Sequence, residues 1–321
     1  MKNTVSSITT TATRATEKRK PRKKRTMKNE VWCWLFLAPT LLLFAMFQGW
    51  PIMASWYYAM LDWSGLTPDS TFVGMQNFIN VAKDPYFWNA FKNSFKFMLG
   101  TVPFHLIIAL VLAVILHRPG LKASNLFRTF IFLPVVTTTS IVGIIMVFIW
   151  GSDGAVNDSL FKLGILDQPI NWLGDATWSM FTVILISVWK NLGVNLIYWL
   201  AGLQSIPKDL YEAADVDGAS GTRKFFHITV PLLIPIGTII LLLNVVNSLK
   251  AFDLIKTMTN GGPFFATDVV STYIYRYAFT SEMGLPQLGY ASAAGLFFAV
   301  TIIIIAIIQS IVTKRMKGGN Q

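Results

Sequence analysis

The chain has 321 residues, of which 53% are apolar and only 13% charged, about half the charged share usual in a soluble globular chain. Long apolar runs recur along it, which excludes a pair of ordinary soluble domains and points to a polytopic membrane protein. A single cysteine, Cys33, rules out an intrachain disulfide, and His105, His117 and His227 show no metal-binding spacing.

Residues 1–30 carry ten of the Lys and Arg residues, densest over 18–25. They are read as a disordered basic arm beside anionic lipid headgroups, and no nucleic acid is expected as a partner. The apolar run that follows is much longer than a signal-peptide core and lacks a small-residue cleavage site, so it is an uncleaved first span. Six spans are predicted, at 31–58, 96–116, 128–150, 178–200, 230–249 and 288–312. Each is long enough to cross roughly 30 Å of hydrocarbon as a helix. A span in lipid must satisfy its own backbone hydrogen bonds, so the predicted fold is an all-α bundle of six transmembrane helices. The domain is drawn at 31–315, with a tail at 316–321. Nineteen Lys and Arg residues fall on the side of both termini and six on the other. That bias predicts both termini in the cytoplasm.

The loop at 205–235 joins spans four and five on the cytoplasmic side. Pro207 suits a helix start, Asp209 and Glu212 favour the positive end of its dipole, and Gly218 is placed to end it. The predicted helix is about eleven residues long, and a helix that short is marginal alone in water. Leu210, Ala213 and Ala214 form a smooth stripe at i, i+3, i+4 spacing. Two readings are open from physics: a plug for another protein's groove, or a surface helix linking two spans. Past Gly221, 224–229 resumes a helical pattern.

Glu212-Ala-Ala, then Gly218, Ile228 and Pro231 resemble the EAA motif of ATP-binding-cassette importer permeases. The resemblance implies that this loop is a coupling helix seated in a cleft of a separate ATPase, with Glu212, Ala213, Ala214 and Gly218 as its coupling residues. Thr259-Asn-Gly-Gly-Pro263 followed by 273–279, together with Trp189-Lys-Asn-Leu-Gly193 and 201–207, is similar to the maltose-type carbohydrate permeases. The likeness covers about 30–315 and fits the six-span members that carry glycerol phosphate, lactose or multiple sugars. It implies import of a sugar through the plasma membrane of a bacterium. It also implies three protein partners: a second homologous permease, ABC ATPase subunits and an extracytoplasmic sugar-binding protein. The chain has no Walker A sequence, so ATP is expected on the partner ATPase and no cofactor on this chain. No catalytic constellation is present and no enzyme is expected.

Polar residues inside spans are costly, and each raises a functional question. Span three has a run of hydroxyls that includes Thr139. Span four has Lys190, Asn191 and Asn195, and span five has Asn244, Asn247 and Ser248. Neutral donors and acceptors suit sugar hydroxyls, and a charged substrate would have only Lys190 within a span. The other reading is that these groups join helices to one another, at about 1 kcal/mol each. The resemblance puts Asn244 and Ser248 on the sugar-facing side of span five and matches Gly193 to a glycine of the same site. Ala251 stands where the family's best-known member has an amide. The candidate substrate-binding set is Thr139, Asn191, Gly193, Asn195, Asn244 and Ser248. Trp178, Trp189 and Trp199 are read either as pyranose-stacking rings or as interfacial anchors.

Two other classes of function are open to a chain of this kind. A secondary transporter usually buries carboxylates as ion sites, and no span core here contains Asp or Glu. A membrane scaffold explains the 205–235 loop but leaves the polar faces of spans four and five unexplained.

The orientation is testable on intact cells with an impermeant thiol reagent. A cysteine at Gly262 is expected to label and one at Ser220 to remain unlabelled. Labelling of Ser220→Cys from outside overturns the orientation.

Overall fold

The computed structural model describes residues 27–117, 123–280 and 284–318. Most of the basic arm, and Arg118 and Lys122, lie outside the described residues. The chain divides into two compact units at Ile52/Met53.

The elements follow in chain order. Helix α1 (Met27–Phe44) runs through a π turn at Ala45–Gly49 into α2 (Trp50–Tyr58). A two-stranded antiparallel ribbon, β1 (Leu61–Asp62) and β2 (Thr71–Phe72), pairs Leu61 with Phe72. Next come α3 (Gln76–Lys83), α4 (Pro85–His117), α5 (Ser124–Val136), α6 (Thr139–Trp150), α7 (Ala155–Lys162) and α8 (Ser179–Gln204). Helices α9 (Lys208–Val216) and α10 (Gly221–Lys224) precede a second π turn at Phe225–Thr229. The chain ends with α11 (Val230–Leu249), α12 (Asp253–Met258), α13 (Val270–Phe279) and α14 (Leu288–Gly318). Six helical stretches are long and apolar enough to cross a membrane. The fold is all-α and polytopic.

Several spans differ from the sequence expectation. The second starts at Pro85 and is 33 residues long, because its amphipathic first turns pack on α13 and α14 instead of ending at the lipid boundary. The third is two helices. Pro134 removes a backbone donor near the end of α5, and Thr137 and Thr138 are both extended (ψ 139° and 143°), so the chain jogs before α6 starts at Thr139. The helix leading into span five starts at Gly221 and passes through the second π turn without a break in helical backbone.

The core lies along α4 and α8. Ala109 and Ala113 of α4 are fully buried and let α8 approach closely, so that Leu196, Trp199, Leu200 and Leu203 pack there with Leu233 and Ile240 of α11. Gly193 performs the same service toward α5. A Cβ at Gly193 would stand 2.7 Å from the Ile131 carbonyl oxygen and 2.9 Å from the Phe132 Cα. A second cluster joins α4, α13 and α14 around Phe87, Tyr273 and Phe298. A third joins α12 to Phe97, Val142, Val183 and Ile186.

The Thr259–Pro263 motif builds a tight loop between α12 and α13, with a cis Gly262–Pro263 bond and left-handed backbone at Asn260, Gly261, Phe264 and Phe265. Asn89 and Asn93 of α4 both donate to the Phe265 carbonyl (2.8 and 3.0 Å). Behind the loop, Arg276 forks onto Asp268 (2.6 and 3.2 Å), with both side chains buried, and Thr272 donates to the same carboxylate (2.7 Å). Asp84 accepts from the hydroxyls of Tyr273 and Tyr290. Burial first, and the Asp84 carboxylate second, push the Tyr273 phenol far above its ordinary value, so it stays a donor.

Replacing Asp268 by Ala strands a buried guanidinium and should destabilise the detergent-solubilised protein by about 3–5 kcal/mol. The double replacement Asp268→Leu/Arg276→Met should lose much less. Thermal unfolding read by size-exclusion recovery checks both, and equal losses would contradict the pairing.

Candidate functional site

Two regions gather the residues singled out by sequence. The first is α9. It is nine residues long, shorter than expected, with Pro207 as its N-cap residue rather than inside its first turn. Its end is a full Schellman motif: the Ala219 amide donates to the Ala214 carbonyl (2.9 Å) and the Gly218 amide to Asp215 (3.1 Å). Gly218 has φ +71°, and a Cβ there would meet nothing within 4 Å. Its requirement is therefore conformational and not steric.

Tyr211, which the sequence reading missed, fixes α9 to the bundle. Its hydroxyl bonds the Thr229 hydroxyl (2.9 Å), and its ring packs on the cluster containing Leu203 and Ile206. Lys224 adds an ion pair to Asp215 (2.5 Å). With Tyr211 inward, Leu210, Glu212 and Ala213 are exposed, Ala214 is half-buried, and Val216 is 89% exposed. Glu212 takes no hydrogen bond among the described residues. Phe226, one turn into the next helix, is exposed as well. The result is a short helix clamped at one side, with Leu210, Ala213 and Val216 exposed beside Asp209 and Glu212 on its free side.

The second region lies where α4, α8 and α11 meet. Asn244 donates to the Asn195 side-chain oxygen (2.7 Å) and to the Ile240 carbonyl (2.8 Å). Asn195 donates to the Asn191 carbonyl (3.0 Å) and Asn191 to the Ser187 carbonyl (3.0 Å). Ser248 bonds Thr101 (3.1 Å), and His105 Nε2 lies 3.3 Å from the Ser187 carbonyl. Asn195, Asn244 and Ser248 are buried, Asn191 and Thr139 half-buried. The structure thus brings Asn191, Asn195, Asn244 and Ser248 into one continuous polar seam and adds Thr101, His105 and Ser187 to it. Gly193 lies on the flank of α8 that meets α5, and Thr139 opens α6, so neither belongs to the seam. Trp199 is buried beside Gly237, which removes it as a stacking surface. Trp178 packs edge-on against Trp172, and Trp189 remains exposed.

The profile of the family described as "Binding-protein-dependent transport system inner membrane component" matches residues 105–318. The chain belongs to this family. It is a transport component and not an enzyme. The chain is 32% identical to the lactose transport system permease protein LacF of Rhizobium radiobacter, over 88% of this chain and 94% of that one. It is 30% identical to the arabinooligosaccharides transport system permease protein AraP of Bacillus subtilis, over 89% of each. Among solved structures, a bacterial ABC transporter involved in import of the acidic polysaccharide alginate aligns with a TM-score of 0.77 at 26% identity. That match covers 90% of this chain and 97% of the other.

The cross-helix amide bond is testable on its own. A double-mutant cycle on Asn195→Ala and Asn244→Ala should give a coupling of about 1 kcal/mol in the stability of the solubilised chain. Strict additivity would mean that the two amides act independently.

Proposed function

We propose that this chain is the permease subunit of an ATP-driven importer that brings a sugar or oligosaccharide into the cytoplasm. Its partners in this reading are a second permease, ATPase subunits and an extracytoplasmic binding protein. The observation that carries it is α9: a short helix held through Tyr211, ended by Gly218, with Ala213, Leu210 and Val216 on its free side. Exposed apolar residues on so short a helix call for a protein groove. The family membership and the cargoes named for the relatives support the sugar.

In the proposed mechanism, ATP binding closes the ATPase pair, α9 follows its cleft, and the spans change which side of the membrane the cavity faces. Asn244 and Ser248, with Asn191 and Asn195 opposite, supply amides and a hydroxyl for sugar hydroxyls once the seam parts. Gly193 and Thr139 act through position, by setting the approach of α5 to α8 and the first turn of α6. The α9 side is cytoplasmic in this reading, as the Lys and Arg bias supports.

The test is uptake into proteoliposomes holding the full complex, with ATP inside and vanadate as inhibitor. Gly218→Val imposes a left-handed β-branched residue at a local cost of about 1 kcal/mol. Ala214→Trp adds bulk on the half-buried edge of α9. Each should release the ATPase on purification or uncouple hydrolysis from uptake, with the chain still in the membrane. If both variants keep wild-type co-purification and sugar-stimulated hydrolysis, α9 is not the coupling element.

A further inference from the structure

Helices α5 and α8 touch at Gly193, where no side chain fits between them. From there to the end of α8, a cavity of about 390 Å³ opens between the two helices. Its α8 wall runs from Gly193 through Ile197 and Leu200 to Gln204, and its α5 wall is Phe132 and Arg128. Gly193 and Gln204 are 11 residues apart, about 16 Å along a helix. That is the depth of one leaflet, half of a hydrocarbon layer of roughly 30 Å.

The polar end of the cavity lies where two spans stop. Gln204 is the last residue of α8. Arg128 donates from Nη2 to the carbonyl of Leu116 (2.7 Å), one residue before α4 ends. Leu116 packs in one cluster with Leu200 and Leu203, so the two span ends are level. The deep end is walled by Phe132, Ile197 and Leu200, and Arg128 is the one charged residue in the described lining. A cation stands at the mouth and an apolar slot runs behind it.

Arg128 lacks a counter-ion. It is in no ion pair among the described residues, and α4, α5 and α8 contain no Asp or Glu. Of its three nitrogens only Nη2 has an acceptor among the described residues, and Nε is buried without one. The Ser124 hydroxyl also donates to the Leu116 carbonyl (2.8 Å), so that end of α4 is capped without Arg128. A guanidinium matches phosphate in shape and in donors. Basic pockets between spans at headgroup level suit anionic lipid. An aqueous anion would account for the arginine but not for an apolar slot one leaflet deep; an acyl chain accounts for the slot.

We propose that the α5–α8 cavity binds one anionic phospholipid of the leaflet on the α9 side. Its phosphate sits against Arg128 and Gln204, and an acyl chain lies along Ile197 and Leu200 toward Gly193. The site rests on the membrane-spanning fold and is independent of the cargo.

The test is photo-crosslinking on the full complex, in vesicles of equal phosphatidylglycerol and phosphatidylcholine with identical acyl chains. Benzoylphenylalanine replaces Ile197, or, as a control, Ile307, exposed on α14. The ratio of phosphatidylglycerol to phosphatidylcholine adducts, read by mass spectrometry, should be about fivefold higher at 197 than at 307, the effect of one basic residue beside an anionic lipid. Arg128→Gln should bring the ratio at 197 down to the control, and Arg128→Lys should keep most of it. Equal ratios at the two positions with Arg128 intact overturn the proposal, whether or not Arg128→Gln folds. An undiminished ratio in Arg128→Gln overturns it too. A protein adduct at 197 in place of lipid means that a partner subunit fills the cavity, and the lipid site falls. Millimolar glycerol 3-phosphate should leave the ratio unchanged; a drop to the control value would assign Arg128 to a free phosphate and overturn the lipid site.

Discussion

Hydrocarbon supplies no hydrogen bonds, and that constraint decides where each polar side chain of the bundle can sit. The Asn195–Asn244 bond, the Ser248–Thr101 bond and the return of Asn191 and Thr101 onto carbonyls of their own helices are its direct results. In the importer reading proposed above, the seam can be satisfied in two ways, by its own amides or by a polyhydroxylated guest. An apolar seam would hold the helices as well but offer a sugar nothing. A seam of ionised groups would hold them too tightly to exchange partners.

On the α9 side the constraint is lifted, because water satisfies whatever the chain leaves open. There the chain spends its specific contacts on one helix. Tyr211, the Asp215–Lys224 pair and the Gly218 turn fix where α9 points, and its other face is left unsatisfied by the chain itself. Rigid placement combined with an open face of mixed apolar and acidic residues suits a part that meets another protein without bending.

Much of this was legible in the sequence because it rests on local signals. Apolar length gave the spans, and Gly218 marked the left-handed turn at the end of α9. The breaks were not legible. Pro134 was visible, but an isolated proline within an apolar run leaves open whether the helix kinks or stops, and the extended Thr137 and Thr138 follow from packing. The end of span five at Leu249, by contrast, was marked by Lys250 and stands. Tyr211 read as one more residue of a surface helix, since its partner Thr229 is 18 residues away. The same distance problem hid Asp84, whose tyrosine partners lie near the other end of the chain. For the candidate substrate residues, spacing gave the shared face of Asn191 and Asn195. It could not say that Asn195 and Asn244 bond each other.

The second π turn has a mechanical meaning. With α10 and α11 it makes a single rod from Gly221 to Leu249, roughly 43 Å long at 1.5 Å per residue. One end of the rod adjoins α9 and the other stops at Leu249, ahead of α12. A wider turn in a helix is a soft spot for twist while leaving it stiff along its axis. A tilt of about 5° about one end displaces the other by close to 4 Å at that length, which is more than the reach of a hydrogen bond. Asn244 lies about 35 Å along the rod from Gly221, so a tilt of about 5° about the α9 end would shift it by about 3 Å, as long as its bond to Asn195, without unfolding any turn of helix.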